Sequence, residues 1–189
     1  LSLQLSTKPR DLQVVHSAGK TALLRRPTAE MISGVASASD RQRPLEPLFT
    51  VAGSVSDDAG RYVPRTFSVS AGNGVGHSLV LYPSPLGCKF GPAGGLQGCV
   101  RFNGSGNPAC WALLTLSVTT ALGAILTFRG QANAAGDFML PLNRLPPLPE
   151  GINHYAAQLS IAALVSAQPG TPLDPSTLVA MNLGDLSAS

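Results

Sequence analysis

Three histidines are the side chains in this sequence best suited to acid–base or metal chemistry near neutral pH: His16, His77 and His154. A metal centre or a general base needs a second ligand or a carboxylate nearby, and these histidines are far apart in the chain. Asp57 and Asp137 stand in separate predicted turns, without the dense acidic spacing of a calcium loop. The sequence therefore predicts no catalytic residues, no metal site, no cofactor and no enzyme activity.

The cysteines are the second set of chemically competent side chains. Cys88, Cys99 and Cys110 follow one another at equal spacing within one glycine-rich stretch. Zinc sites usually contain a close pair of ligands such as C-x₂-C, and no such pair is present. The favoured interpretation is free thiols or small apolar side chains in a core. The spacing leaves open whether any two of them form a disulfide.

The composition points to a chain of short apolar segments joined by many turns. Charged residues make up 12% of the 189 residues, about half the usual share, while Gly contributes 20 and Pro 16. A surface with so few charges does little to keep a protein from associating with itself or with partners. We therefore expect part of the surface to be covered by other subunits.

The formal net charge of +3 is basic, but the excess lies in the first third of the chain. The residues concerned are Arg25, Arg26, Arg41, Arg43, Arg61 and Arg65. Nucleic-acid binding would require such cations to be interleaved with aromatic side chains for stacking, and aromatics are only 5% of the sequence. Nucleic acid is therefore not an expected partner.

One apolar stretch, residues 109–128, is long enough to pass a simple test for a membrane span. Its pattern favours strands instead, because apolar and hydroxyl-bearing residues alternate with a period of two over Leu114–Thr119. Gly123 suits the positive φ of a hairpin turn, and Ile125–Phe128 follows it. The stretch predicts two antiparallel strands, and on this interpretation a membrane is not an expected partner.

The whole chain predicts an all-β protein, an antiparallel β-sandwich with long Gly/Pro-rich loops. We expect residues 1–48 to form an N-terminal arm and connector, and residues 49–189 to form the sandwich. The expected elements number about nine to eleven strands. They include strands at Val51–Ser56, Tyr62–Val69, Ser78–Tyr82, Phe138–Leu142 and Tyr155–Leu164, a turn at Asp57–Gly60, and a long loop at Pro83–Cys110.

Two segments resemble carboxypeptidase-regulatory-like and transthyretin-like domains. Val51–Val69 matches the pattern G-x-V-x-D-x-x-G followed by Val-Pro and a second strand. Residues 130–163 resemble the later part of that family, with a turn, a Gly, a Phe and a strand. The resemblance implies a β-sandwich and carries little about function, because its motifs are mostly turn chemistry.

Enzymes with a related sandwich do not extend this resemblance to catalysis. Intradiol dioxygenases hold iron with two tyrosines and two closely spaced histidines. Here no H-x-H pair is present. The iron chemistry of that family is therefore not expected in this chain.

The strongest sequence signals for partner binding are a proline strip and a glycine-rich tip. The strip contains Arg144, Pro146, Pro147 and Pro149, a P-x-x-P segment that favours the polyproline II conformation bound by aromatic grooves. The tip contains Gly72, Gly74 and Gly76. The alternative for the strip is a connection between strands that proline stiffens.

These observations favour a non-catalytic structural or adaptor subunit of a larger protein assembly, homo- or hetero-oligomeric. A phage tail, a tail-like particle or a bacterial surface appendage fits this character, which places the protein in a virion-like particle or at the cell surface. The alternative is a secreted module that binds a glycan or a peptide through the loops at residues 71–77 and 83–110. No motif distinguishes the two.

Overall fold

The computed structural model describes residues 1–10, 12–17, 20–25, 48–72 and 77–188. The described residues contain twelve strands and two short 3₁₀ helices, Pro175–Thr177 and Leu183–Asp185. The strands are β1 (Ser2–Thr7), β2 (Leu12–Ser17), β3 (Lys20–Arg25), β4 (Phe49–Ser56), β5 (Arg65–Ala71), β6 (Gly95–Phe102), β7 (Leu113–Thr119), β8 (Ile125–Gln131), β9 (Asp137–Pro141), β10 (Ala156–Ala163), β11 (Val179–Ala180) and β12 (Leu186–Ala188). The predicted all-β class is confirmed.

The chain divides into two compact units. Unit 1 comprises Leu1–Val55 and Thr66–Leu79, and it contains a three-stranded sheet of order β1-β4-β5 and the β2–β3 hairpin. Leu12, Val51 and Phe67 form its buried core. These residues lie on β2, β4 and β5, so the core of unit 1 includes a side chain from the amino-terminal hairpin.

Unit 2 comprises Ser56–Arg65 and Val80–Ser189 and contains two antiparallel sheets. Their strand orders are β11-β10-β7-β8 and β12-β6-β9. One buried cluster draws side chains from both sheets, and we call it the main core; it includes Val100, Leu114, Leu140, Ile161 and Leu186. Sharing one core between two sheets is the architecture of a β-sandwich.

The β7–β8 hairpin confirms the interpretation of the long apolar stretch. Leu116 lies opposite Phe128, and Gly123 in the turn has φ 78°. The alternating apolar side chains of β7 are buried, whereas Ser117 and Thr119 lie on the other face of the strand. Period-two alternation therefore places the hydroxyl groups on the outer face of the sheet. No helix formed by the described residues is long and apolar enough to cross a membrane.

The turn between β4 and β5 forms where its residue types predict. The Gly60 amide donates to Asp57 O at 2.8 Å, and Gly60 has φ 66°. The Asp57 carboxylate accepts hydrogen bonds from the Arg61 amide and from its guanidinium. These bonds lower the pKa of Asp57 to about 2, so the turn keeps its ion pair through the ordinary pH range.

An ion pair shielded from solvent joins two distant parts of unit 2. Arg65 Nη2 lies 2.8 Å from Asp174 Oδ1, and Arg65 Nη1 donates to Val80 O at 2.9 Å. Asp174 also caps the helix Pro175–Thr177, because its carboxylate accepts the Ser176 amide. One carboxylate therefore balances a charge and satisfies a helix end.

Two expectations about the chain layout are not confirmed: a strand at Ser78–Tyr82 and a division at residue 48/49. Ser78–Tyr82 forms no strand; instead Tyr82 O accepts the Val63 amide beside an isolated bridge between Tyr62 and Pro83. An isolated bridge joins a single pair of residues. Ser78–Tyr82 therefore does not pair along its length as a sheet strand does, although its sequence alternates. The predicted division at residue 48/49 stays a prediction, since residues 26–47 lie outside the described part.

Candidate docking surfaces and groove

The proline strip is an exposed, irregular segment held from one side by a tyrosine. Pro146, Pro147 and Pro149 are exposed and belong to no strand or helix. The Tyr155 hydroxyl lies 2.6 Å from Pro146 O and 3.0 Å from Pro147 O and donates to this pair of carbonyls. Arg144 is also exposed and has φ 74°. The proline rings are therefore exposed to solvent, while Tyr155 holds the backbone of the strip.

Replacing Tyr155 by Phe removes this donor and leaves the ring. We expect a loss of about 0.5–1.5 kcal/mol in the free energy of unfolding, the usual contribution of one hydrogen bond. Hydrogen exchange at the Leu145 amide, which donates to Leu142 O at 3.2 Å, should also become faster. Tyr62→Phe is the matched control, because the Tyr62 hydroxyl makes no hydrogen bond within the described residues. Equal effects of the two substitutions would show that Tyr155 does not fix the strip.

The glycine-rich tip is only partly described. Gly72 is half-buried at the end of β5, where a Cβ would come within 2.7 Å of Leu48 Cδ2. That atom is the end of an exposed leucine side chain, which can move aside, so the space there does not by itself require a glycine. Gly74 and Gly76 lie outside the described residues, so their proposed role in partner binding stays a prediction.

The histidines lie on different elements. His16 is in β2, where its backbone pairs with Thr21. His77 Nε2 donates to Ser70 O at 2.7 Å, and His154 Nδ1 lies 2.7 Å from Asn153 Oδ1. Within the described residues, no three His, Cys, Asp or Glu side chains are grouped so as to hold a metal ion. His77 and His154 are each accounted for by a local hydrogen bond.

All three cysteines are free thiols. Cys110 is buried and its Sγ donates to Ala134 O at 3.1 Å, while Cys99 Sγ lies 3.5 Å from Ala135 O. Burial raises the pKa of the Cys110 thiol, and burial together with neighbouring Asp137 raises the pKa of Cys99. Because the thiolate is the reactive form, these two thiols are deactivated as nucleophiles.

A groove of about 700 Å³ opens on unit 2. It is lined by residues of the Phe102–Cys110 hairpin, by residues of the 165–169 loop, and by Met181 and Asp185. Asp185 supplies the single carboxylate of the lining, and the rest is apolar, amide, hydroxyl and thiol side chains. Volume and lining fall within the range of ligand sites in proteins.

Trp111 stands beside the groove in an unusual backbone conformation, with φ 62°. Its indole Nε1 donates to Gln168 O at 2.9 Å, and its own amide donates to Asn133 O at 3.2 Å. Gln131, fully buried, donates to Trp111 O at 3.4 Å. These bonds hold the ring against Cys110 in a second buried cluster of unit 2. The ring thereby fixes the loop that forms one wall of the groove.

Asn103 connects the hairpin to the C-terminal segment. Its Nδ2 donates to Gly184 O at 2.7 Å and to Leu186 O at 3.1 Å, and its amide donates to Asp185 O at 2.8 Å. Both amide hydrogens of the Asn103 side chain are therefore engaged with the C-terminal segment. No pattern in the sequence indicated this role.

Sequence reasoning singled out the proline strip, whose role in partner binding stays a prediction, and it missed the groove, Trp111 and Asn103. The groove is assembled from segments that lie about sixty to eighty residues apart, as the Asn103–Gly184 separation of 81 positions illustrates. The one available signal was the length of the predicted Pro83–Cys110 loop, since long loops in compact domains are often functional. In the structure this segment is not one loop, because it contains β6.

Comparison with protein-family models, with curated proteins and with solved structures gives no match to this chain. The resemblance to carboxypeptidase-regulatory-like domains thus rests on its two segments alone. Of these, Val51–Val55 and Thr66–Val69 belong to unit 1, and residues 130–163 belong to unit 2. The resemblance stays a hypothesis about the origin of the fold.

Proposed function

We propose that this chain is a non-catalytic structural or adaptor subunit of a larger protein assembly, in a virion-like particle such as a phage tail or at a cell surface. The observation that carries the proposal is the character of the surface. The last hundred residues contain seven charged side chains: Arg101, Arg129, Asp137, Arg144, Glu150, Asp174 and Asp185. Eight large apolar side chains in the same stretch are exposed: Leu96, Leu122, Ile125, Leu148, Ile152, Val165, Val179 and Leu183.

Two of these apolar side chains lie close together at one end of the four-stranded sheet. Leu122, in the turn of the β7–β8 hairpin, is 96% exposed, and Ile125, the first residue of β8, is 69% exposed. We call these two residues the hairpin tip. The chain enters β10 at the same end, because Ala156 pairs with Thr119, which pairs with Ile125. Apolar side chains this exposed are typical of surfaces that a partner covers.

The outer edge of the same sheet supports the proposal. Among the strands that the structure describes, β8 is the last in the order, and hydrogen bonds from Thr120 to Ala124 and from Ala132 to Ala112 mark the residues that face β7. By the alternation of an antiparallel ladder, Ile125, Thr127 and Arg129 direct their backbone groups away from β7. Such an edge is a template for a strand from another subunit.

Light scattering during size-exclusion chromatography at several concentrations tests this role. We expect the wild-type chain to associate as its concentration rises, and we expect Leu122→Asp with Ile125→Asp to weaken that association at least tenfold, because a buried carboxylate is costly. Val179→Asp, at an exposed position near the other end of the sheet, is the matched control. A wild-type chain that stays monomeric at high concentration would count against the assembly role.

The groove favours a second function, a secreted module that binds a glycan or a peptide. Its lining includes Asn107 and Gln168, whose amide side chains suit the hydroxyl groups of a sugar or the backbone of a peptide. A monomer that binds a glycan or peptide array, and loses that binding on Asn107→Ala, would promote this function over the first.

A further inference from the structure

The C-terminal segment is held in unit 2 by one strand pairing, one buried side chain and one asparagine. β12 pairs with Val100–Phe102 of β6, and Leu186 is 8% exposed in the main core. Asn103 adds the three hydrogen bonds described above. Its Nδ2 carries two hydrogens and both are donated to carbonyls of this segment, so the side chain has no spare donor.

The residue after Asn103 is a glycine in an open position. Gly104 has φ 82°, and a Cβ placed on it would meet nothing within 4 Å. Its amide makes no hydrogen bond within the described residues. At an Asn-Gly pair the glycine nitrogen reaches the side-chain carbonyl carbon most readily, because the following residue has no Cβ to block the approach. The Gly104 nitrogen is therefore available as a nucleophile. Within the described residues, the Asn103 side chain is restrained only by the C-terminal segment.

We infer that Asn103 is a deamidation site controlled by docking of the C-terminal segment. While the segment is docked, the hydrogen bonds from Nδ2 to its two carbonyls restrict rotation of the Asn103 side chain and retain the leaving nitrogen. When the segment opens, the Gly104 nitrogen attacks Asn103 Cγ, an N–Cγ bond forms, the Cγ–Nδ2 bond breaks, and ammonia leaves with the proton from the Gly104 amide. Water then opens the succinimide to aspartate or isoaspartate.

The product cannot restore the original contact. A carboxylate has no hydrogen to donate, and its charge would face the Gly184 and Leu186 carbonyl oxygens at hydrogen-bond distance. Each deamidated molecule therefore loses two of the bonds that hold the segment, so β12 is docked for less of the time and Val100–Phe102 of β6 is exposed more often as a strand edge. The reaction acts as an irreversible weakening of the docked segment and does not depend on the assembly role.

Peptide mapping by mass spectrometry over time tests the control by docking. The chain has a second Asn-Gly pair, Asn73-Gly74, which serves as an internal reference. Leu186→Ala removes the anchor of the segment and should raise the deamidation rate at Asn103 by at least tenfold, with Asn73 unchanged, because the rate follows the population of the open state. Equal Asn103 rates in the wild type, in Leu186→Ala and in urea would overturn the inference.

If Leu186→Ala fails to fold, a substitution at Asn103 itself tests the same contact. Asn103→Asp mimics the product, and Asn107→Asp introduces the same charge into the same hairpin as the control. We expect Asn103→Asp to lose hydrogen-exchange protection at Ser187 and Arg101, which pair between β12 and β6, while the control keeps it. Unchanged protection in Asn103→Asp would show that the amide does not hold the segment.

Discussion

Replacing Trp111 by Ala is expected to lower the free energy of unfolding by about 3–5 kcal/mol, the range for removing a large buried aromatic ring. The ring is 4% exposed and packs with Val63 and Cys110. The substitution also removes the indole donor to Gln168 O, although that exposed residue regains a bond to water. Denaturant unfolding followed by circular dichroism measures the loss without relying on tryptophan fluorescence.

Two further variants separate packing from backbone strain at this position. Trp111→Phe keeps most of the ring and should cost less than Trp111→Ala. Trp111→Gly should be less destabilising than Trp111→Ala by about 1 kcal/mol, because the positive φ of this position disfavours every residue with a Cβ. If Trp111→Ala proves more stable than Trp111→Gly, residue 111 does not have a positive φ in the folded protein.

Replacing Gly136 by Ala is expected to cost roughly 2–4 kcal/mol, from an unfavourable backbone conformation and a steric conflict together. Gly136 has φ 81°, and a Cβ there would lie 2.5 Å from Val100 O and 3.2 Å from Pro108 Cβ. Val100 O accepts the Ala109 amide and the Val100 amide donates to Gly136 O, so neither backbone moves without losing hydrogen bonds.

Gly123→Ala is the matched control for this prediction. Gly123 has nearly the same φ, 78°, and a Cβ there would meet nothing within 4 Å. It should therefore show only the conformational cost, about 1 kcal/mol. The difference between the two variants in denaturant midpoint measures the steric part at Gly136. Equal losses would mean that the turn at Gly136 relaxes away from Val100.

The parts of the fold that the sequence predicted are those governed by neighbouring residues. Alternation over Leu114–Thr119 and the turn glycine at position 123 identified the β7–β8 hairpin, because both depend on local φ and on the period of a strand. The turn at Asp57–Gly60 followed from the same local chemistry. The strand expected at Ser78–Tyr82 did not form, because a strand also needs a partner and alternation alone does not supply one.

The features that were missed depend on partners far along the chain. Asn103 lay within the predicted long loop at Pro83–Cys110, and its role follows only from carbonyls that lie 81 and 83 positions later. Trp111 gave no signal of its positive φ, since bulky residues rarely adopt that conformation and nothing local requires it. The proline strip was recognised from composition, but Tyr155, which fixes it, was assigned only to a strand.

Unit 2 is built from two separate stretches of the sequence, and this limits how the protein can be cut into fragments. Residues 56–65 belong to unit 2 although the strands on either side of them belong mainly to unit 1. A gene fragment beginning at Val80 would keep β6 to β12 but lack Val63, which is 2% exposed beside Trp111. Such a fragment would expose the face of the indole that Val63 covers and is expected to aggregate. Deletion from either terminus therefore cannot isolate one unit, and point substitution in the intact chain is the sound way to assign a role to each.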